Sequence, residues 1–165
     1  MKSLTELYRI GLGPSSSHTM GPRFAAQAFR ASLHSALRIR VTLYGSLAAT
    51  GRGHLTELAV SEPFSPLPVE LVWAPERLLP RHPNGMQFEA LDEAGAVLAS
   101  RVVYSVGGGA LLDEDGKPDG GEDIYPYTCM GEILEHSERQ GLLLWELASE
   151  YEGTALWPYL DRIWA

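Results

Sequence analysis

Six prolines fall between residues 61 and 83: Pro63, Pro66, Pro68, Pro75, Pro80 and Pro83. Proline inside a helix removes a hydrogen bond and clashes with the preceding turn. In a sheet it is tolerated only at an edge. This stretch is therefore mainly loop, with one edge strand possible at Val69 to Trp73, and it breaks any regular strand–helix–strand alternation. Upstream, Ser3 to Arg9 is a short helix opened by the capping-box pair Ser3 and Glu6. Pro22 to Leu37 is a helix with proline in its first turn and Phe24, Ala25, Ala28, Phe29 and Leu33 on one stripe. Arg38 to Gly45 alternates apolar Ile39, Val41 and Leu43 with polar residues, the period of a half-buried strand. Ser46 to Thr50 begins another helix, ended by Gly51 to His54.

Downstream, Met86 to Leu91 and Val97 to Val106 form a hairpin around Asp92 to Gly95, with Val102, Tyr104 and Val106 on one face. Gly107 to Gly109 ends the second strand, and Asp113 to Asp123 is an exposed acidic loop. Helices follow: one capped by Thr128 and broken by Gly141, one over Leu142 to Glu152, and one from Thr154 to Trp164. The order predicts an α+β fold, a small mixed or antiparallel sheet with helices packed on it.

The formal charge of −8 argues against nucleic acid and against anionic membrane surfaces, since both need a basic patch. No apolar run approaches the ~18–20 residues that cross a bilayer, and the first residues lack a secretory apolar core. Cys129 is the single cysteine of 165 residues, so no disulfide can form within the chain, which fits the cytoplasm. One thiol cannot hold an iron–sulfur cluster, and no spacing such as C-x-x-C suggests a metal site. Cys129 is expected as a small buried side chain.

Four polar clusters could carry chemistry. Ser15, Ser16, Ser17, His18 and Thr19 precede a helix, where free N–H groups and the helix dipole suit a carboxylate or phosphate. The same residues could equally be a turn and an N-cap. In Gly51-Arg52-Gly53-His54-Leu55-Thr56-Glu57, His54 could be a general base or hold a carboxylate; the alternative is a glycine-ended helix with an exposed histidine. His82-Pro83-Asn84-Gly85 carries a tight-turn signal and by default is structural. Gly107-Gly108-Gly109 could cradle an anion or simply end a strand. A Ser–His hydrolase is disfavoured, because no nucleophile elbow is present.

The string Ile10-Gly11-Leu12-Gly13-Pro14-Ser15-Ser16-Ser17-His18-Thr19-Met20-Gly21-Pro22 resembles the opening motif of the iron–sulfur L-serine dehydratases. Leu43 to Ala48, Thr50 to His54, His82 to Met86 and Tyr104 to Gly109 continue the resemblance in order. It implies that this chain is similar to the beta part of such an enzyme. A separate alpha part would hold a four-iron four-sulfur cluster whose open iron acts on the serine hydroxyl. Loss of the Cα proton and of water would lead to pyruvate and ammonia. The implied fold is similar to the allosteric substrate-binding domain of some D-3-phosphoglycerate dehydrogenases. By position, the resemblance makes His54 the candidate base or carboxylate holder. It places Ser15, Ser16, Ser17, His18, Thr19 and Thr56 at the substrate pocket, and leaves His82 and Asn84 as a further block that could be structural.

The implied partners are the alpha part, L-serine and further copies of the chain in a homo-oligomer. Residues 1–152 would be the beta domain and 153–165 the start of a linker helix. The piece could be a shortened form of a longer chain or a naturally short beta subunit. Two departures stand out. The family reads Gly-His-Gly-Thr-Asp where this chain has Gly53-His54-Leu55-Thr56-Glu57, and the stretch from Glu57 to His82 is shorter than usual. The competing function is a regulatory module that binds a small carboxylate or phosphate and has no catalytic role.

Overall fold

The computed structural model describes residues 1–121 and 123–165. They form two units: Gly11–Asp119, and a second built from Met1–Ile10 together with Gly120–Ala165.

The first unit is a five-stranded mixed sheet with helices, an α+β arrangement. Strands β1 (Arg38–Tyr44), β2 (Val69–Ala74), β3 (Gly85–Leu91), β4 (Val97–Gly107) and β5 (Ala110–Asp113) lie in the order β2-β1-β3-β4-β5. The proline-rich segment leaves β2 at the edge, as expected. It pairs in parallel with β1, Ile39 opposite Val69, while the other pairings are antiparallel. A parallel partner demands a crossover. Helix α1 (Leu4–Leu7) belongs to the other unit; α2 (Gly21–Ser32) precedes β1, and the crossover contains α3 (Gly45–Thr50) and α4 (Thr56–Ser61). The alternation thus survives once, because α4 ends just where the prolines begin. That helix and β5 were not anticipated from the sequence.

Helix α2 stops at Ser32, short of the expected Leu37. The Ser32 hydroxyl donates to the Phe29 carbonyl at 2.7 Å, drawing that acceptor away from the helical ladder. Leu33 is already extended, and the Leu37 N–H donates to the Leu91 carbonyl. The core is centred on Phe29, Phe64 and Phe88, whose ring centroids lie 5.5–6.2 Å apart. Ile39, Val41, Leu43, Leu47, Val60, Met86 and Val103 surround them, all fully buried. On β4 the core face is Val103 and Ser105. On the other face, Tyr104 is buried and Val106 is 37% exposed. At Gly21 the first turn of α2 lies so close to β4 that a Cβ there would overlap the Ser105 hydroxyl and sit 3.1 Å from its Cβ.

In the second unit, α5 (Met130–Gln140), α6 (Leu144–Glu152) and α7 (Leu156–Trp164) follow a segment whose Tyr125 and Tyr127 pack with Ile133 and Leu147. The Ser3 oxygen caps α1 through Thr5 N–H, but Glu6 does not complete the capping box; it pairs with Arg9. Glu152 serves the helix start in another way, accepting from the Leu4 N–H at 2.6 Å, the Ser3 hydroxyl at 2.6 Å and the Tyr125 hydroxyl at 2.7 Å. A negative charge is favourable at a helix start. Burial works against the Glu152 charge, but the hydrogen bonds outweigh it and hold the carboxyl below its ordinary range. Thr128 is not itself the cap: Cys129 occupies that position, and Thr128 binds the Glu132 carboxylate. Cys129 is exposed, not the expected buried side chain. It lies at the end of an extended segment, in the cap position before the helix begins. Trp145 and Trp157 meet edge to face on the surface, and Trp164 is 93% exposed.

Gly21→Ala is expected to cost about 1–3 kcal/mol, the usual penalty for overpacking, read as a lowered urea midpoint. Adding Ser105→Ala should restore more than half of that loss. Among the described residues the buried Ser105 hydroxyl has no hydrogen-bond partner, so Ser105→Ala alone should change stability little.

Candidate active site

The segment Ser15 to Met20 enters α2 through a wide turn over Ser16–Met20. Ser15 caps it: its hydroxyl accepts from the His18 N–H at 3.1 Å, and its carbonyl accepts from the N–H groups of Thr19 and Met20. Opposite, Gly51–His54 form a single 3₁₀ turn at the end of α3. The two turns are locked by a reciprocal pair of hydrogen bonds. The Thr19 hydroxyl donates to the His54 carbonyl at 2.6 Å, and the Thr56 hydroxyl donates to the His18 carbonyl at 2.6 Å. Both threonines are fully buried. Gly51 makes room for this clamp, since a Cβ there would lie 2.9 Å from the Thr56 hydroxyl oxygen. Gly53 faces open space.

The clamp sets the two imidazoles side by side, their centroids 5.0 Å apart at an interplanar angle of 41°. His54 Nδ1 lies 2.9 Å from the Thr50 carbonyl, an acceptor only, so Nδ1 carries a proton and the neutral ring keeps its lone pair at Nε2. His18 sits between two hydroxyls, Ser17 Oγ at 2.9 Å from Nδ1 and Ser46 Oγ at 3.3 Å from Nε2. Burial first, and then the neighbouring His54, hold His18 below the ordinary imidazole value of 6.5, while the Ser46 backbone works the other way. Both histidines are half-buried.

Gly107, Gly108 and Gly109 all have positive φ, a conformation open mainly to glycine, and carry the chain from β4 into β5. The Gly108 N–H donates to the Ser16 hydroxyl at 3.2 Å, so this turn meets the serine segment. The His82 block stands apart. The Asn84 N–H donates to His82 Nδ1 at 3.1 Å, and the buried Asn84 side chain donates to the Ser105 carbonyl at 3.2 Å. The Pro83 carbonyl accepts from the Ser46 N–H at 3.0 Å. Gly45, at φ +49, permits that approach; a Cβ there would lie 2.5 Å from the Pro83 oxygen. The block therefore braces the start of α3.

Ser15, Ser16, Ser17, His18, Thr19, His54 and Thr56 thus converge, whereas His82 and Asn84 are tied into their own turn and β4. Ser46 was missed among the candidates. Its signal was its place inside the Leu43 to Ala48 block, directly after a glycine. Arg52 lies over the Trp73 ring, 4.7 Å from its centroid. Leu55 is, among the described residues, the one non-glycine at positive φ, +57°, and it is 50% exposed. For an L-residue this left-handed conformation costs about 1–2 kcal/mol, and glycine would avoid it. Among the described residues no group of three or more histidine, cysteine or acidic side chains could hold a metal ion. Cys129, exposed and single, does not fit a cluster that needs several thiolates. No helix in the described residues is long and apolar enough to cross a membrane.

The family model for the serine dehydratase beta chain matches residues 3–66 and 63–116. An L-serine dehydratase of Streptomyces coelicolor is 35% identical over 199 residues, covering 91% of this chain and 43% of the relative. One from Mycobacterium tuberculosis is 34% identical over 194 residues, covering 91% and 42%. L-serine dehydratase 1 of Escherichia coli is 32% identical over 197 residues, covering 92% and 43%. The chain spans less than half the length of these relatives. The Streptomyces alignment is longer than the 165-residue chain it covers, so that relative carries segments this chain lacks. The two matched pieces meet at 63–66, inside the stretch from Glu57 to His82 that the sequence marks as short.

Thr19→Val and Thr56→Val should each destabilise the chain by about 1–3 kcal/mol, because each leaves a histidine carbonyl without its partner. The double variant should lose less than the sum in urea titrations, since the two bonds close one clamp. Acidification should weaken the fold through His18. Its folded value lies below 6.5, so between the two values the unfolded chain binds more protons than the folded one. This contribution is complete above 6.5 and is lost as pH falls from there toward the folded value. His18→Gln should flatten that part of the profile when urea midpoints are compared across this range.

Proposed function

The chain belongs to the serine dehydratase beta chain family, and from that premise we propose that it forms one wall of an L-serine dehydratase active site. An alpha part, on a separate domain or subunit, supplies the opposite wall. The four-iron four-sulfur cluster that the family resemblance implies would be held wholly by the alpha part, and its iron would polarise the serine hydroxyl. In this reading the chain has no turnover of its own and works in the cytoplasm, where the unpaired thiol of Cys129 stays reduced.

The observation that carries the reading is the tautomer of His54. Its Nδ1–H is held by the Thr50 carbonyl, so the neutral ring presents a lone pair at Nε2. That form accepts a proton; holding a carboxylate through Nε2 would require the imidazolium. We therefore assign His54 as the base that takes the Cα proton of L-serine. The electron pair left on Cα forms the Cα–Cβ double bond as the hydroxyl leaves with the proton needed to make water. The resulting aminoacrylate hydrolyses to pyruvate and ammonia. Ser16, Ser17 and His18 line the substrate side, and Ser15 holds their turn. Thr19 and Thr56 act through the backbone, fixing the distance between His18 and His54. His82 and Asn84 act further back, through Pro83 and α3.

The test is to combine the chain, without oxygen, with the cluster-bearing alpha part and measure pyruvate formed from L-serine. His54→Ala should lower kcat by about 10²-fold or more, the usual contribution of a positioned base, with its thermal unfolding unchanged. Full activity in that variant would remove His54 from the chemistry. An assembled but inactive wild-type complex would favour the regulatory carboxylate- or phosphate-binding module.

A further inference from the structure

Leu55 breaks a local rule that the fold does not need broken. Its N–H donates to the Gly51 carbonyl and closes the 3₁₀ turn, and its carbonyl accepts from the Ala59 N–H at 3.0 Å as α4 begins. Both bonds are made by the backbone, which a glycine would supply at φ +57° without strain. The leucine side chain gives the fold little in return, since half of it is exposed. Leu58, three residues on in the first turn of α4, is 43% exposed. Strain held at a residue whose side chain faces solvent points to a contact outside the fold.

Three bodies could bury this leucine. L-serine is too small and too polar to cover it. A second copy of this chain seated on Leu55 would also sit on His54, the residue before it, and would shut that base off from the alpha part. The alpha part has to close over His54 to complete the site, and in doing so it reaches Leu55. The relatives have the length for this: the chain covers 43% of the Streptomyces enzyme, so more than half of that enzyme lies outside the matched region. Arg52, three residues before Leu55, is exposed too. It stacks on Trp73 and has no acidic partner among the described residues. Arginine and tryptophan are the residues that concentrate at the energetic centres of protein interfaces.

We propose that Leu55, flanked by Leu58, is the apolar anchor by which this chain docks onto the alpha part, next to the histidine that the partner must cover. The proposal rests on the dehydratase reading, which requires such a partner. On docking, the leucine enters an apolar hollow of the alpha part, and its burial offsets the strain held in the free chain. Arg52 lies at the edge of the same surface, where an acidic group of the partner would meet it.

Titrating the full chain with the cluster-loaded alpha part, without oxygen and by calorimetry, reads the association. Leu55→Asn and Leu55→Gly both suit a left-handed backbone and both remove the apolar side chain. Each is expected to keep the urea midpoint at or above that of the wild type. Each should weaken association about tenfold or more, the loss of one buried leucine. Leu55→Met, which keeps the apolar bulk, should bind more tightly than either. At saturating alpha part, Leu55→Asn should form pyruvate with the wild-type kcat, because docking has changed and the chemistry has not. Wild-type affinity in Leu55→Asn overturns the proposal and leaves the dehydratase reading standing. A lowered urea midpoint overturns it too, since the leucine would then serve its own fold. So does a kcat that stays low at saturation, which would put Leu55 in the chemistry. Self-association of the chain that Leu55→Asn abolishes would give the surface to a second copy, against the proposal. A wild-type chain that never binds the alpha part removes the partner, and the dehydratase reading falls together with this proposal.

Discussion

Two buried threonine hydroxyls and two histidine carbonyls form the interaction on which the rest of the site depends. Each threonine belongs to the segment opposite the carbonyl it binds: Thr19 follows His18 and holds His54, while Thr56 follows His54 and holds His18. A backbone carbonyl away from water must be paired, and here the pairing also sets the spacing of two side chains. The imidazoles have little independent choice of position, because their backbones are fixed within one hydrogen-bonded ring. Much that surrounds them makes this ring possible. Gly51 leaves space for Thr56, Gly21 brings the serine turn down onto Ser105, and Gly108 reaches the Ser16 hydroxyl.

A second layer of support comes from the crossover between β1 and β2. Six-residue α3 is too short to be stable alone. It is held at its start by the turn carrying Pro83, and on its buried side by Leu47 and Ala48 in the core. In return it provides the Ser46 hydroxyl and the Thr50 carbonyl that hold His18 and His54. His82 and Asn84 thus matter to the site without reaching it. Leu55 is the point where this arrangement is strained. The chain must turn through a left-handed conformation between His54 and Thr56 to place both correctly, and a leucine makes that turn at a cost glycine would avoid.

Much of the strand pattern was legible in advance. Arg38 to Tyr44 and the hairpin of β3 and β4 alternate in hydrophobicity, and a period of two is a local property. The proline-rich segment announced an edge strand for the same reason: a missing N–H is visible in the residue type. Helix α4 was less legible because it is six residues long and offers no cap; its N-cap position is Leu55 itself. The capping acid of α1 misled for another reason. Glu6 has the right spacing but pairs with Arg9, while Glu152, distant in the chain, binds the neighbouring Leu4 N–H and the Ser3 hydroxyl, and no local rule registers such partners. On β4 the alternation was legible but not the burial of either face: Tyr104 is covered, whereas Val106 is 37% exposed. A two-residue period does not say which face is buried until something packs against it, and here α2 packs on the face of Val103 and Ser105.

For the site, residue types and their order determined the candidates. A serine-rich turn before a helix, a glycine-flanked histidine and a glycine run after a strand are chemical features that exist in the string itself. The string likewise determined that a lone cysteine cannot make a disulfide within the chain. Only the tertiary structure decided how the features combine. It joined His18 to His54 across 36 positions and paired the Thr19 and Thr56 hydroxyls with the His54 and His18 carbonyls. It brought in Ser46 and turned the His82 block into a brace. The physical reason is that a hydrogen bond depends on a few tenths of an ångström and on direction. Sequence order carries neither, whereas backbone conformational limits and hydrophobic period are written in each residue's own covalent structure.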